Sequence, residues 1–588
     1  MNKISPLKLI LPERAPAPEG SIFLDAKEIK EWISHLPLAN TGETSKQTFK
    51  TLVELNRLEI PNVTRVKIAN SLRPVVRHVA TSLSKYYIDV PIPLSAKNHK
   101  VVVLCRELHM ELANSYKIII ERTTSGQEKE FDHKVLILAL HQALHHLFKV
   151  LYYSVIAYIP YPGNTWKEIH QLYLFAEQNS VSDIQINRGG NDSDSTCSIK
   201  DIYLNAMLLA LASPYGLRQK ELEELFDNID KWTKHISIKP FQPEDAIEGQ
   251  FFVATDKDNP PIHISLREDE PGDFCYTINT TSLVKHLQTE LKKVYTSNEG
   301  GNIFNKEMQI TAPLLRKLIK SLTFEPKRGF NRTNLNFKLD AVVGISDIHT
   351  QITTNRAKPA ESEADLIAEI ESNEEFKESS FLDSYFSAND TSIQIVPLDH
   401  PVDEVISQQQ QFDSPIEDDG APAWAKQQKD EKKDIFSCKT QNESAGGYCI
   451  NWNGDDAPKI IVGELIGIQS ASDHSQFSVG IVRWLRHMPE VGLQLGFEII
   501  SPVTDAVTIY TKANSKHPST THKCILLPKN VSANRPDSLI IPIINIQVGD
   551  EVEIEQSDSK RPAKLARLLE STGTFSQYEL SYLDEDDS

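Results

Sequence analysis

Cysteine is scarce in this chain and carries no pattern. Cys105, Cys197, Cys275, Cys438, Cys449 and Cys524 are the only six in 588 residues, with no C-x-x-C pair and no spacing suited to zinc or a disulfide framework. A reducing, cytoplasmic setting is predicted. Positive charge is also in deficit. The formal net charge is −19, which repels nucleic-acid backbones and anionic lipid and excludes general nucleic-acid binding. A secretory leader is missing: Met1 to Pro6 leads into Pro12, Pro16 and Pro18 without an apolar run or a small-residue cleavage site. The most apolar stretch, Val135 to Ile159, has about the length of a membrane span but carries His141, His145, His146 and Lys149 near its middle. Ionisable groups at a bilayer centre cost several kcal/mol, so a buried helix is predicted and no integral membrane segment. No nucleophile elbow or paired-carboxylate signature stands out, and the expected class is a non-enzyme without metal or cofactor.

What is present is an ordinary globular composition, 40% hydrophobic and 24% charged, at a length that predicts two or three domains. From Ala26 to about Thr233 apolar residues recur at three- and four-residue intervals, as in Leu52, Leu55, Val66, Leu72, Val76 and Val79. Residues 1–240 are read as an all-α helical domain. Residues 241–323 are a mixed connecting region, with strands at Gln250 to Ala254 and Ile262 to Leu266 and helices near Ser282 to Val294 and Ala312 to Leu322. Whether it is a module of its own or an extension of the helices stays open. Asn336 to Ile352 reads as strand. Residues 358–433 are rich in Glu, Asp, Ser and Gln, include the run Gln408 to Gln411, and are predicted to be a disordered linker with a short helix at Glu363 to Glu371. Beyond them, short strands recur from Gly447 to Gln556 between turns such as Asn453-Gly454 and Gly549-Asp550. The fold class expected is α+β multidomain: a helical N-terminal domain, then one antiparallel β-barrel built from 324–357 and 434–588 and interrupted by the acidic linker.

Two short motifs bracket that linker. Arg328 and Arg332 stand four apart just before the strand near Asn336. Asn442, Ser444 and Gly447 precede the strand at Tyr448. Guanidinium forks suit phosphate oxygens, guanine O6 and N7, and stacking on a base face. Asn442 and Ser444 offer short directional hydrogen bonds, and Gly446-Gly447 permits a tight turn close to a ligand. Arginine pairs arise often by chance, whereas both motifs at strand entries of one barrel satisfy several constraints together.

On these residues the chain resembles the PilZ family of bacterial cyclic di-GMP receptors. Its R-x-x-x-R mark is met by Arg328 and Arg332, and its [DN]-x-S-x-x-G mark by Asn442, Ser444 and Gly447. The segments Val462 to Gly467, Val479 to Leu485 and Gly492 to Glu498 are similar to the strands that follow in that family, and His35 to Asn40 with Leu55 to Leu58 resembles the larger FimW-type receptors. The resemblance implies that Arg328 and Arg332 bind phosphates and guanines, that Asn442 and Ser444 bind guanine edges and that Gly447 shapes the turn. It also implies a link to type IV pili and surface attachment through a protein partner. The long insertion between the motifs departs from the family, although loop closure costs grow only logarithmically with length. The alternative is a scaffold that binds no nucleotide and docks partners through its helices.

Three other signals read as structural. His141 and His145 have the i, i+4 spacing of zinc ligands, but Gln142 stands where a metallopeptidase needs Glu. Gly42 to Lys46 lacks the ending of a phosphate loop and reads as a helix start, and Asp192, Asp194 and Ser195 resemble a calcium loop in composition alone. Lys429 and Lys433 read as solvated charge.

Overall fold

The structure, a computed structural model, describes residues 7–127, 132–187, 196–242, 250–267, 274–296, 304–305, 310–323, 333–334, 338–357, 435–444, 446–452, 457–470, 473–488, 492–511, 520–529, 535–556 and 559–583. Apart from Pro91–Pro93, the described residues up to Thr323 form one compact unit and those from Thr333 onward another.

The first unit follows from the helical spacing of its apolar residues. A short parallel pair, β1 (Ala15–Pro16) with β2 (Leu58–Glu59), accompanies α1 (Ala26–Ser34), α2 (Thr41–Asn56), α3 (Asn62–Leu83), α4 (Ala96–Thr124), α5 (His133–Ile156), α6 (Thr165–Gln178), α7 (Ile199–Leu211) and α8 (Gln219–Trp232). The hairpin β3 (Ile186–Asn187) and β4 (Thr196–Cys197) lies between α6 and α7. Helix starts coincide with side chains able to accept from free N–H groups: Asp25, Asn40, Ser95, Asp132 and Ser198 cap α1, α2, α4, α5 and α7. The Gly42 to Lys46 stretch is accordingly the first turn of α2. Helix α6 is capped from a distance: Asp258 accepts from the amides of Asn164 at 2.6 Å and Lys167 at 3.0 Å. Helix α5 is buried on all sides, including His141 and His146, as a central helix must be. It is the one helix among the described residues long and apolar enough to cross a membrane.

The question left open for residues 241–323 is settled by packing. Strands β5 (Ser237–Pro240), β6 (Gln250–Ala254), β7 (Ile262–His263) and β8 (Cys275–Asn279) form a sheet in the order β5-β8-β6-β7, followed by α9 (Thr281–Thr296), the pair β9 (Phe304–Asn305) and β10 (Ile310–Thr311), and α10 (Ala312–Thr323). Thr311 donates to Glu224 through its amide and hydroxyl, at 3.1 and 2.9 Å, and Lys317 pairs with Glu221 at 2.7 Å. These contacts join the region to α8, so it extends the helical unit.

Among its described residues the second unit is all-β except for one helix, and it departs from the expected single barrel. Strands β11 (Thr333–Asn334), β12 (Lys338–Val343), β13 (Phe436–Ser444), β14 (Gly447–Trp452), β15 (Leu465–Ser470), β16 (Asp473–Met488) and β17 (Gly492–Ser501) form the first barrel. It closes in the ring β12-β15-β16-β17-β14-β13, with β11 added on β13. Strands β18 (Asp505–Thr511), β19 (Thr521–Leu527), β20 (Ser538–Pro542), β21 (Glu551–Gln556), β22 (Ser559–Ser571) and β23 (Phe575–Tyr582) close a second. The span 434–588, read as the remainder of one barrel, thus holds strands of two. Alternating hydrophobicity marks a strand but not its partner, and β18 pairs with β19 and β21 instead of continuing from β17. Strands β22 and β23 were not read from the sequence.

A second correction concerns Asn336 to Ile352. Among the described residues of this span only Lys338–Val343 is strand; Gly344 turns the chain at φ 90°, and α11 (Ile345–Ala357) follows. Ile345, Ile348 and Ile352 have helical spacing and enter a cluster with Val479 and Ile481 of the first barrel and Ile525, Ile540 and Phe575 of the second. Burying each is worth about 2 kcal/mol, whereas the whole scale of β-propensity spans about 1 kcal/mol. Packing therefore overrides the β-branched composition.

Candidate ligand-binding site

The polar motif of the first barrel is built on the β13–β14 hairpin. Asn442 and Ser444 were expected on a loop before a strand; both lie within β13, which ends at Ser444, and β14 begins at Gly447. Strand β13 carries an irregularity at Gln441, between Thr440 and Asn442, that resets its phase. Beyond it Asn442 faces Cys449 on β14 and Asn334 on β11, and Ser444 faces Gly447. Asn442 therefore sits where three strands meet.

Gly447 is required by close approach. A Cβ there would lie 2.0 Å from the carbonyl oxygen of Phe497 on β17. Gly446 anchors the same corner, its carbonyl accepting from the Ile499 amide at 2.9 Å. The start of β14 is thus pressed onto β17.

Arg328 and Arg332 lie outside the described residues, as do the acidic stretch 358–433, Lys429, Lys433 and the Asp192 to Ser195 segment. The chain that follows the arginines is nevertheless fixed. Thr333, the residue after Arg332, pairs with Glu443, and Asn334 pairs with Asn442. The backbone leaving the R-x-x-x-R segment thereby runs antiparallel to the N-x-S segment.

Nearby, an amide network escaped sequence reading. Gln494 Nε2 donates to Gln441 Oε1 at 2.5 Å and to Asn451 Oδ1 at 3.2 Å, and the Cys449 thiol lies 3.4 Å from Gln441 Oε1. The partners are far apart in sequence, and nothing but outward polar alternation marks them. Arg483, on β16, was noted only as part of a family-like strand. It donates from Nε to Glu498 at 2.8 Å and from Nη1 to Glu570 on the second barrel at 2.5 Å. Burial alone would lower its pKa, but the two carboxylates outweigh that and raise it. Burial, with a contribution from Asp340, pushes the Cys438 thiol up to about 12, which makes it a packing residue.

His141 Nε2 is 3.1 Å from the carbonyl of Cys197, and the half-buried His145 has its pKa held well below the ordinary value, chiefly by desolvation and then by the nearby Lys149. Among the described residues no group of three His, Cys, Asp or Glu side chains is arranged to hold a metal ion.

Comparison with known proteins accounts for nearly the whole chain. Three family models match in series: the N-terminal domain of the cyclic-di-GMP receptor FimW over residues 27–244, its middle PilZ domain over 250–505, and its C-terminal β-barrel domain over 507–583. The chain belongs to the FimW family. It is 27% identical to the cyclic-di-GMP receptor FimW of Pseudomonas aeruginosa over 582 residues, covering 98% of this chain and 94% of that protein. No solved structure matches. The boundary between the second and third FimW models falls in the first residues of β18, the first strand of the second barrel. The middle FimW model also takes in the sheet and helices of residues 250–323, which pack with the helical unit.

Proposed function

We propose that this FimW-family chain binds cyclic di-GMP on its first barrel and passes the binding event to a protein partner of the pilus or surface-attachment machinery, acting in the cytoplasm without catalysis. In this reading Arg328 and Arg332 engage the phosphates and guanine faces, Asn442 and Ser444 the guanine edges, and Gly447 holds the turn. The observation that supports it most is the register of β11 on β13. Thr333, which follows Arg332 in the sequence, is paired with Glu443, and Asn334 with Asn442, so the chain directly after the arginine motif runs beside the polar hairpin. A bis-anionic ligand with two purines needs this combination of cationic forks and directional acceptors.

Isothermal titration of the whole chain with cyclic di-GMP tests the proposal. Saturable heat is expected, with Arg332→Ala weakening binding by at least about tenfold, the loss of one charge-assisted contact. Absence of heat with the unaltered, folded chain refutes it.

A further inference from the structure

A pair of opposite charges is buried in the helical unit where it is completed by main chain. Lys117 on α4 and Glu168 on α6 are 1% and 5% exposed, and Nζ lies 2.9 and 2.8 Å from the two carboxylate oxygens. Their further hydrogen bonds go to both main-chain groups of one residue in the extended segment before α1. The Ile10 amide donates to Glu168 Oε1 at 2.9 Å, and Lys117 donates to the Ile10 carbonyl at 3.0 Å. Arg14 then pairs with Glu121 at 2.9 Å, and the Ala15 amide donates to the Arg57 carbonyl at 2.9 Å, which begins the β1–β2 pairing.

Recognition is deep for the main chain and shallow for side chains. None of residues 7–20 is buried; Leu7, Leu9 and Leu11 are half-buried, while Ile10 itself is 53% exposed. Pro16, Pro18 and Gly20, the last at φ 77°, lead from this segment into the rest of the chain. A buried ion pair is stable only when its remaining protons and lone pairs are matched. The strip therefore calls for an extended chain with a free N–H and C=O at this point and asks little of the side chain between them.

We propose that the strip on α4 and α6 is a binding site for an extended peptide main chain, and that residues 7–16 are a detachable arm that fills it in cis and in a second copy of this chain. The second copy is the occupant the structure supports, because its arm is complementary by construction and exchange needs only the short Pro/Gly connection to swing.

The test uses a variant lacking residues 2–16, shown to be folded by a cooperative melt, titrated with a fluorescein-labelled peptide of residues 5–18 and followed by anisotropy. Saturable binding is expected. A peptide with Ile10→Ala should bind within about twofold of the parent, whereas Ile10→Pro, which removes the N–H but stays extended, should bind at least about tenfold more weakly. Glu168→Gln in the receptor should weaken the parent peptide in the same way. A folded truncated protein that binds no peptide, or one that loses as much with alanine as with proline, overturns the proposal. If truncation prevents folding, a protease site placed between Pro18 and Glu19 of the full chain serves instead: exchange of the cut arm with labelled peptide supports the proposal, and failure to exchange overturns it. For the second copy, full-length chains labelled separately on the arm and on α6 should develop energy transfer on mixing at high concentration; none means the arm acts only in cis.

Discussion

Replacing Gly447 with alanine sets a methyl group against the main chain of β17. The added carbon would lie 2.0 Å from Phe497 O and 3.0 Å from Glu498 Cα, where a carbon–oxygen contact at rest needs about 3.3 Å. Both obstacles are backbone and cannot rotate aside, so β14 and β17 must part at this end by more than about 1 Å. That movement opens the Gly447–Glu498 pairing and strains the bond from the Ile499 amide to Gly446 O. Two main-chain hydrogen bonds at about 1 kcal/mol each, together with local strain, give an expected loss of about 2–4 kcal/mol. Gly446→Ala supplies the control one residue away, because a Cβ there meets nothing within 4 Å. Hydrogen exchange of the β13 and β14 amides reads the local stability without assuming that the two units unfold together. Faster exchange in Gly447→Ala but not in Gly446→Ala is expected, with a parallel loss of cyclic di-GMP affinity. Equal protection in both variants would refute the close approach and the idea that it fixes the turn.

Acid should weaken the helical unit well above the pH at which carboxylates titrate. Burial lowers the pKa of His109 to about 3 and of His170 to about 4, and drives His145 and His146 down in the same direction. A histidine held neutral in the folded state and free to protonate when unfolded contributes stability that is present above pH 6.5 and declines as pH falls toward the folded value, by about 1.4 kcal/mol per pH unit for each such group. Urea midpoints should therefore fall between pH 7.5 and pH 5.5, and a flat profile would contradict the burial of these rings. Arg483→Lys keeps a charge but loses the fork between Glu498 and Glu570, for an expected cost of about 1 kcal/mol by denaturation, and an Arg483→Gln, Glu570→Gln cycle should show a coupling of about 0.5–1 kcal/mol. Cys105 and Cys438, with thiols pushed up to about 12 chiefly by burial, should react with a disulfide reagent at pH 8 only on unfolding; rapid native reaction would argue against their placement.

Periodicity and local chemistry were legible in the sequence because they depend on neighbours along the chain. The spacing of Leu140, Leu144, Leu147 and Leu151 marks α5 as a buried helix, and all four are buried. The strands at Glu551–Gln556 and Gly492–Ser501 and the motif residues Asn442, Ser444 and Gly447 could be named from the sequence. Pairing was not legible, because alternation states which face of a strand is buried and not against what. Only the tertiary structure divided the β segments between two barrels, turned Ile345–Ala357 into the helix that fills the space between them, and brought Gln441 to Gln494. It also buried Lys117 and Glu168 around the main chain of Ile10. In each case the energy comes from groups far apart in sequence, and closing those loops is rewarded only once the partner surface exists.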